Sequence, residues 1–394
     1  MELSLGPQYE EFRAEVRAFL ESNRTEAPAA GLGEGDTEGR NKAWQQRLID
    51  ADYAARTIPR KYGGFGAEPD MLESIIIDEE FRRAKLSGPM ANQGISMLVP
   101  TLLEYGNEEQ KVEYVAPTIR GELVWCQGYS EPGAGSDLAS LRTAAVEEGD
   151  ELVINGQKIW TTTAHQAGMM FALVRTDPDA AKHAGISYVL VPTDSAGLEI
   201  RPLREMTGSS SFNEVFFDNV RVPKTNMVGQ PGQGWEIGTR TLFHERNMLG
   251  SSSQTETMFG SMLEVAAESG VINDPAFREK VAALQARVLA MKYQSLRLLT
   301  DRLKKRSSGV ASLLTKLNGC QLNHDVSAIA IDAMGERGIL AKGSPHVRDK
   351  GLWQGQYMFT LGLIIGGGTA QVQKNIISER GLGMPREPKP APKD

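Results

Sequence analysis

Residues 152–163 read LVINGQKIWTTT. Leu152, Val153 and Ile154 on one side of Asn155-Gly156, and Lys158, Ile159 and Trp160 on the other, are two short strand-like runs. Asn-Gly supplies the two positive φ values of a type I′ turn, so the stretch predicts a β-hairpin. Further along the chain, strand-like runs fall at 169–174, 187–191, 198–200 and 215–222, parted by Gly, Pro and Asp. That spacing suits a small barrel or sandwich, and a β-barrel domain is expected over 123–230.

On both sides of this segment the period changes. Tyr9, Phe12, Val16, Phe19 and Leu20 fall at i, i+3, i+7, i+10 and i+11, an apolar helical stripe with Glu and Arg between. Met71, Leu72, Ile75, Ile76 and Phe81 suggest a second helix, entered from the turn-rich GGFG at 63–66. A polar helix over 108–120 is expected to end at Gly121. Past Gly234 the helical pattern returns: Val281, Leu284, Val288 and Met291 mark one long helix, and 313–334 another. The chain therefore predicts an α+β fold, with an N-terminal helical domain over 1–122, the β-barrel domain, and a C-terminal helical bundle over 231–384. The tail PREPKPAPKD, 385–394, is expected to be disordered. Helices, then strands, then helices is not a βαβ alternation, which argues against a doubly wound dinucleotide-binding sheet.

Composition narrows the function. The chain has 394 residues, and at roughly 100–200 residues per domain it has room for two or three units. Lys and Arg total 43 against 50 Asp and Glu, a net charge of −7 with no basic block, so nothing attracts nucleic acid or an anionic membrane. The most apolar stretch, YMFTLGLII at 357–365, is about half of what a bilayer requires. Cys126 and Cys320 are far apart and match no metal spacing, and none of the five histidines is spaced as a ligand pair, so no metal site is expected. The N-terminal segment MELSLGPQYEEFRAEV has neither a signal core nor transit character; with the unpaired cysteines, this points to a reducing, cytoplasmic compartment. GxSxG, GxGxxG after a strand and GxxxxGK[ST] are all absent.

Three segments remain. QGYSEPGAGSD, 127–137, reads by itself as a connecting loop, yet its N–H groups and hydroxyls suit a flat polar ring and a pyrophosphate. Trp160 beside three threonines at a strand end suits stacking on an aromatic cofactor, or else a place in a core or interface. GGGTAQVQ, 366–373, is three glycines opening a helix with Thr369 as N-cap.

GYSEPGAGSDLASLRT (128–143), INGQKIWTT (154–162) and GGGTAQVQKNIISERGL (366–382), in this order and at these separations, resemble the acyl-CoA dehydrogenase family. The resemblance extends over nearly the whole chain, including LLEYGNEEQKVEYVAPTIRGEL at 102–123. It implies FAD as cofactor, with Gln127, Tyr129 and Ser130 lining the isoalloxazine, Ser136 near the pyrophosphate and the CoA end of the substrate, Trp160 stacking on the flavin and Thr162 near its N5 edge. Thr369 and Gln371 would bind the adenylate side, and Ser136, Arg246 and Gly368 would contact substrate. The implied reaction is α,β-desaturation of an acyl-CoA thioester, in fatty-acid, branched-chain or steroid side-chain catabolism. The base removes the α-proton while the β-hydrogen leaves as hydride to flavin N5. The implied acceptor is an electron-transfer flavoprotein.

Two departures stand out. Many members carry the base as a Glu just before the Gly-Thr of the last motif, where this chain has Gly367. Some branches hold it instead at a Glu-Arg in the helix after the β-domain, here Glu245-Arg246. Trp235, Gly238, Leu242, Glu245 and Leu249 are spaced 3, 4, 3 and 4, so Glu245 is expected on the apolar helix face, partly desolvated and strengthened as a base. The alternative is a structural Glu paired with an Arg. The family's Arg-x-x-Phe-Gly segment, which reaches a neighbouring subunit's FAD, is also missing from ESGVINDPAFREKVAALQ at 268–285. Bacterial enzymes resembling this sequence and acting on bulky or steroid side-chain CoA esters lack it too. A homodimer or homotetramer is expected, with a heterotetramer as the other assembly. The competing readings are a flavin subunit with little activity alone, and a flavin oxidase or monooxygenase on the same fold.

Overall fold

The computed structural model describes residues 6–29, 37–248, 252–307 and 310–386. Helices α1 (Pro7–Ser22), α2 (Thr37–Asp50), α3 (Met71–Ala84), α4 (Val99–Tyr105) and α5 (Glu108–Ile119) come first. Strands β1 (Trp125–Gly128), β2 (Ala144–Glu148), β3 (Glu151–Thr162), β4 (Met169–Arg175), β5 (Ile186–Pro192), β6 (Leu198–Leu203), β7 (Phe212–Pro223) and β8 (Met227–Val228) follow. The chain then continues as α6 (Gly234–Met248), α7 (Ser252–Ser269), α8 (Pro275–Leu303), α9 (Ala311–Met334), α10 (Leu352–Ile365) and α11 (Ala370–Gly381). Family-level expectation and structure agree on helices flanking a sheet. The tail expected beyond the bundle lies almost wholly outside the described residues.

The helix ends have local causes. Asp70 caps α3 by accepting from the Leu72 and Glu73 amides. Asn107 and Gln110 form a capping box at α5, satisfying two backbone donors at once. Gly121, at φ 72°, ends that element as the sequence suggested. On α8 the buried residues Phe277, Val281, Leu284, Val288 and Met291 repeat at helical spacing, and they pack with Leu322, Val326 and Ala330 of α9.

The strands form one eight-stranded sheet, ordered β6-β7-β3-β2-β4-β5-β8, with β1 beside β4. The pairs run as a path from β6 to β8, and among the described residues no pair joins its ends into the expected barrel. The hairpin expected at Asn155-Gly156 is not there. β3 runs straight through that dipeptide for 12 residues, paired with the equally long β7. Asn155 faces a bulge of β7: between the pairs Ile154–Val220 and Gly156–Phe217 it is opposed by two residues, Asp218 and Asn219, with Asn219 at φ 52°, and its Oδ1 accepts from the Asn219 amide at 2.8 Å. Gly156 is required there, because its φ is 148° and a Cβ would lie 2.7 Å from the Thr143 Cα. The tight turn instead joins β2 to β3 between the paired residues Glu148 and Glu151, with Gly149 at φ 59°.

The chain divides into two compact units, Met1–Leu203 with Ser210–Thr241, and Arg204–Ser209 with Leu242–Asp394. In the first unit the helices pack directly on the sheet. Trp125 of β1 donates its indole N–H to Thr118 of α5 at 2.8 Å and meets Tyr114 edge-on. Gln110 of α5 donates to the carbonyls of Thr225 and Met227.

Candidate active site

In the first unit, the loop after β1 is fastened to β3 by buried charge. The Lys158 ammonium is fully buried and donates to Glu131 Oε1 at 2.8 Å and to the Tyr129 carbonyl at 3.1 Å. Glu131 also accepts from the Arg142 and Thr143 amides at 2.7 and 2.8 Å. Burial by itself would raise the Glu131 carboxyl, but Lys158 and these donors overcome it and hold the group ionised. Burial pushes the Lys158 ammonium down to about 8, with Glu131 opposing the fall. A further bond, from the Ile159 amide to the Ser130 carbonyl at 2.9 Å, completes the stitch.

The next residue is Trp160. A second irregularity of β3, between Lys158 and Thr161, gives Trp160 a φ of 60° and turns it out of the sheet. The indole is 59% exposed and meets Phe212 edge-to-face. A large aromatic face left open beside a rigid backbone is what a flat ring would stack on. The two motifs read separately in the sequence, 127–137 and 158–163, are thus brought side by side.

The other expected residues of this unit divide. Gln127 and Ser130 are half-buried, Ser136 is exposed and Thr162 is half-buried beside Trp160. Tyr129 is only 4% exposed, its ring edge-on to Phe171 and Tyr188 and its carbonyl taken by Lys158, so it has almost no surface to offer. Gly133 and Gly135 have open space around them. Among the described residues no group of His, Cys, Asp and Glu could hold a metal, and no helix is long and apolar enough to cross a membrane.

In the second unit, the glycine segment between α10 and α11 is built around a buried cation. Gly367 and Gly368 have φ of 63° and 92°. Thr369 caps α11 by accepting from the Val372 amide at 3.2 Å, as the sequence suggested. Gln373, buried, donates to the Gly367 carbonyl at 3.3 Å. Lys316 of α9, 2% exposed, donates to the carbonyls of Gly368 at 2.6 Å and Ile364 at 3.1 Å. Gln371 is exposed, whereas Thr369 and Gly368 are half-buried.

Glu245 belongs to this unit too. The buried positions of α6 are Gly234, Ile237, Gly238 and Thr241, and Glu245 continues that stripe one turn on, half-buried. The face is rotated from the one read in the sequence, since Trp235 and Leu242 are only half-buried and Leu249 lies outside the described residues. The Glu245 carboxylate acts through space on Lys316, favouring its charged form. The side chain of Arg246 lies outside the described residues. Sequence reading missed both lysines. Glu131 and Lys158 sit inside the quoted motifs as opposite charges, which was a usable signal. Lys316, in a helix with no motif, gave none.

Three family models match the chain: acyl-CoA dehydrogenase N-terminal domain over 6–122, middle domain over 126–220 and C-terminal domain over 232–382. Acyl-CoA dehydrogenase IpdE1 of Mycobacterium tuberculosis is 37% identical, covering 96% of this chain and 99% of that protein. The human mitochondrial short-chain specific acyl-CoA dehydrogenase is 29% identical over 82% of this chain and 78% of its own length. Among solved structures, one described as the Tcur3481-Tcur3483 steroid ACAD superposes with a TM-score of 0.82 at 31% identity, covering 98% of this chain and all of that one. The ChsE4-ChsE5 complex from Mycobacterium tuberculosis matches with a TM-score of 0.80 at 30% identity, over 98% of this chain and all of the matched chain.

Proposed function

The chain belongs to the acyl-CoA dehydrogenase family of flavin-dependent oxidoreductases, and on that premise we propose that it uses FAD to desaturate an acyl-CoA thioester between Cα and Cβ, with Glu245 as the base. The observation that carries the base assignment is Gly367: it has no proton acceptor, and Glu245 continues the buried stripe of α6 as a half-buried carboxylate in the field of Lys316. A base must be ionised and near the proton it takes, and a partly desolvated carboxylate meets the first need when a cation sits close by.

FAD held here would supply the acceptor for the β-hydrogen as hydride, chemistry that no side chain of this protein offers. Trp160 holds the ring by its open face, and the Glu131–Lys158 pair keeps the Tyr129–Ser130 backbone and Trp160 in fixed relation. Gln127, Ser130 and Thr162 are assigned to the ring's polar edge, Ser136 to the phosphates, and Thr369 and Gln371 to the adenylate side. Tyr129, its ring packed inward and its carbonyl held by Lys158, is assigned to shaping the loop that lines the flavin ring. Gly368 and Arg246 are assigned to substrate.

The favoured substrates are bulky acyl-CoA esters of the steroid side-chain kind, since a solved structure matched over 98% of this chain is described as a steroid ACAD. The acceptor is an electron-transfer flavoprotein. Both cysteines are free and buried, which suits a reducing cytoplasm. A second reading, a flavin subunit needing a different partner chain, has one observation in its favour: a neighbour of 30% identity is a ChsE4-ChsE5 complex. Mixing the purified flavoprotein anaerobically with a panel of acyl-CoAs separates the two. Bleaching of the flavin with formation of an enoyl-CoA two mass units lighter supports the dehydrogenase. A flavin that no acyl-CoA bleaches until a second chain is added favours the subunit.

A further inference from the structure

We propose that Lys316 is a positioning residue for this reaction: its buried ammonium ties the Gly366–Gly368 loop to α9 and serves as the cationic neighbour of the Glu245 carboxylate. The proposal rests on Glu245 being the base.

The geometry is that of a built site. Lys316 is 2% exposed in the middle of a helix, and its Nζ is spent on two main-chain carbonyls, those of Ile364 at the end of α10 and Gly368 just before α11. Those carbonyls are where a helix C-terminus and a left-handed glycine pair leave acceptors without helical partners. A buried ammonium costs several kcal/mol unless charge and hydrogen bonds offset it, and neutral carbonyls offset only part of that. A methionine or leucine would fill the same space at lower cost, so a cation here implies a use for the charge.

Among the described residues, the titratable groups that act on Lys316 are Cys320, one turn along α9 and itself buried, and Glu245 on α6; α10 and the glycine loop supply the carbonyls of Ile364 and Gly368. Burial pulls the ammonium below the ordinary lysine value, and Cys320 and Glu245 both oppose that. The Glu245 interaction is mutual: a carboxylate that favours the charged lysine is favoured, as a carboxylate, by it to the same extent. A base whose ionised form is supported in this way works at lower pH than it otherwise would. The same lysine bonds the carbonyls on either side of Gly367, so one charge both fastens the loop and acts through space on the base.

The test uses the full-length flavoprotein and two readouts. The first is the pH profile of anaerobic flavin reduction by an acyl-CoA that bleaches the parent. The second is amide hydrogen exchange of the peptide covering 362–372. In Lys316→Met the acid limb of the profile should move to higher pH, since removing an opposite charge that favours the carboxylate makes it harder to ionise. Exchange of the loop amides should rise several-fold. Lys316→Gln keeps donors for the carbonyls but no charge, so it should move the acid limb alone, and it stands in if Lys316→Met does not fold. Lys316→Arg keeps the charge and should leave the acid limb near the parent's. An acid limb that stays within experimental error in both neutral variants overturns the proposal, as does unchanged loop exchange in a folded Lys316→Met. If Glu245→Gln reduces its flavin at the parent rate, the base assignment itself falls, whatever the lysine variants do.

Discussion

At the scale of single residues, the decisive groups are charges placed where water cannot reach them. Glu131 and Lys158 form one such pair, and truncating either leaves the other buried and unpaired. Lys158→Met should therefore lower stability by about 3–5 kcal/mol, read as a large fall in the thermal midpoint. A midpoint equal to the parent's would mean that the loop is held by something else. Trp160 tests the cofactor reading in a different way. Its indole is open, so Trp160→Ala should fold normally but retain flavin several-fold less well, because an aromatic contact is worth about 0.5–1.5 kcal/mol beyond its area. Unchanged flavin content and spectrum would remove it from the site. Trp160 was readable in the sequence because a Trp among threonines at a strand end is unusual. The role of the Tyr129 ring was not, since nothing local says that it packs inward on Phe171 and Tyr188.

At the scale of elements, the helices were legible because their burial is periodic and local, as on α1 with Val16 and Leu20, and on α8. The strand β3 was misread because an Asn-Gly pair is a hairpin signal only when nothing else competes for the flanking residues. Here β7 offers a 12-residue partner, and the dipeptide stays in the strand opposite a bulge that β7 makes at Asp218-Asn219. Gly156→Ala should accordingly destabilise by about 1–3 kcal/mol, through a strained φ and a clash with Thr143. A neutral effect in thermal unfolding would contradict the close approach. The glycine loop carries a related lesson. Gly367, at φ 63°, is in a conformation that costs any other L-residue about 1–2 kcal/mol, so grafting a Glu there would strain the loop as well as move the carboxylate.

At the scale of the whole molecule, stability against acid depends on carboxylates held ionised inside it. Glu80 of α3, 2% exposed, is bonded by Arg13 and Arg17 of α1 at 2.8 Å each and paired with Arg83 at 3.0 Å. Burial alone would raise its carboxyl, yet Arg17 and Arg13 overcome this and hold it below the ordinary carboxylate value. A depressed folded value means that its contribution is complete above the unfolded carboxylate range and is lost as pH falls through the folded one. The thermal midpoint should drop below about pH 4.5 less steeply in Glu80→Gln than in the parent; equal slopes would show that Glu80 is not among the groups responsible. The overall α+β order was legible because three separate motifs fall in register over nearly the full length. The proposed base came from the missing acceptor at Gly367 and the likeness of Glu245-Arg246 to the branches with a Glu-Arg in this helix, while the stripe read on α6 was rotated from the buried one, because helical spacing alone does not say which face is covered. That base is the central claim, and single-turnover flavin reduction tests it most directly. Mixed anaerobically with an acyl-CoA that bleaches the parent, Glu245→Gln should retain its flavin and bind the ligand, while the reduction rate falls by roughly two to four orders of magnitude. A Glu245→Gln flavin that bleaches as fast as the parent's would contradict the account.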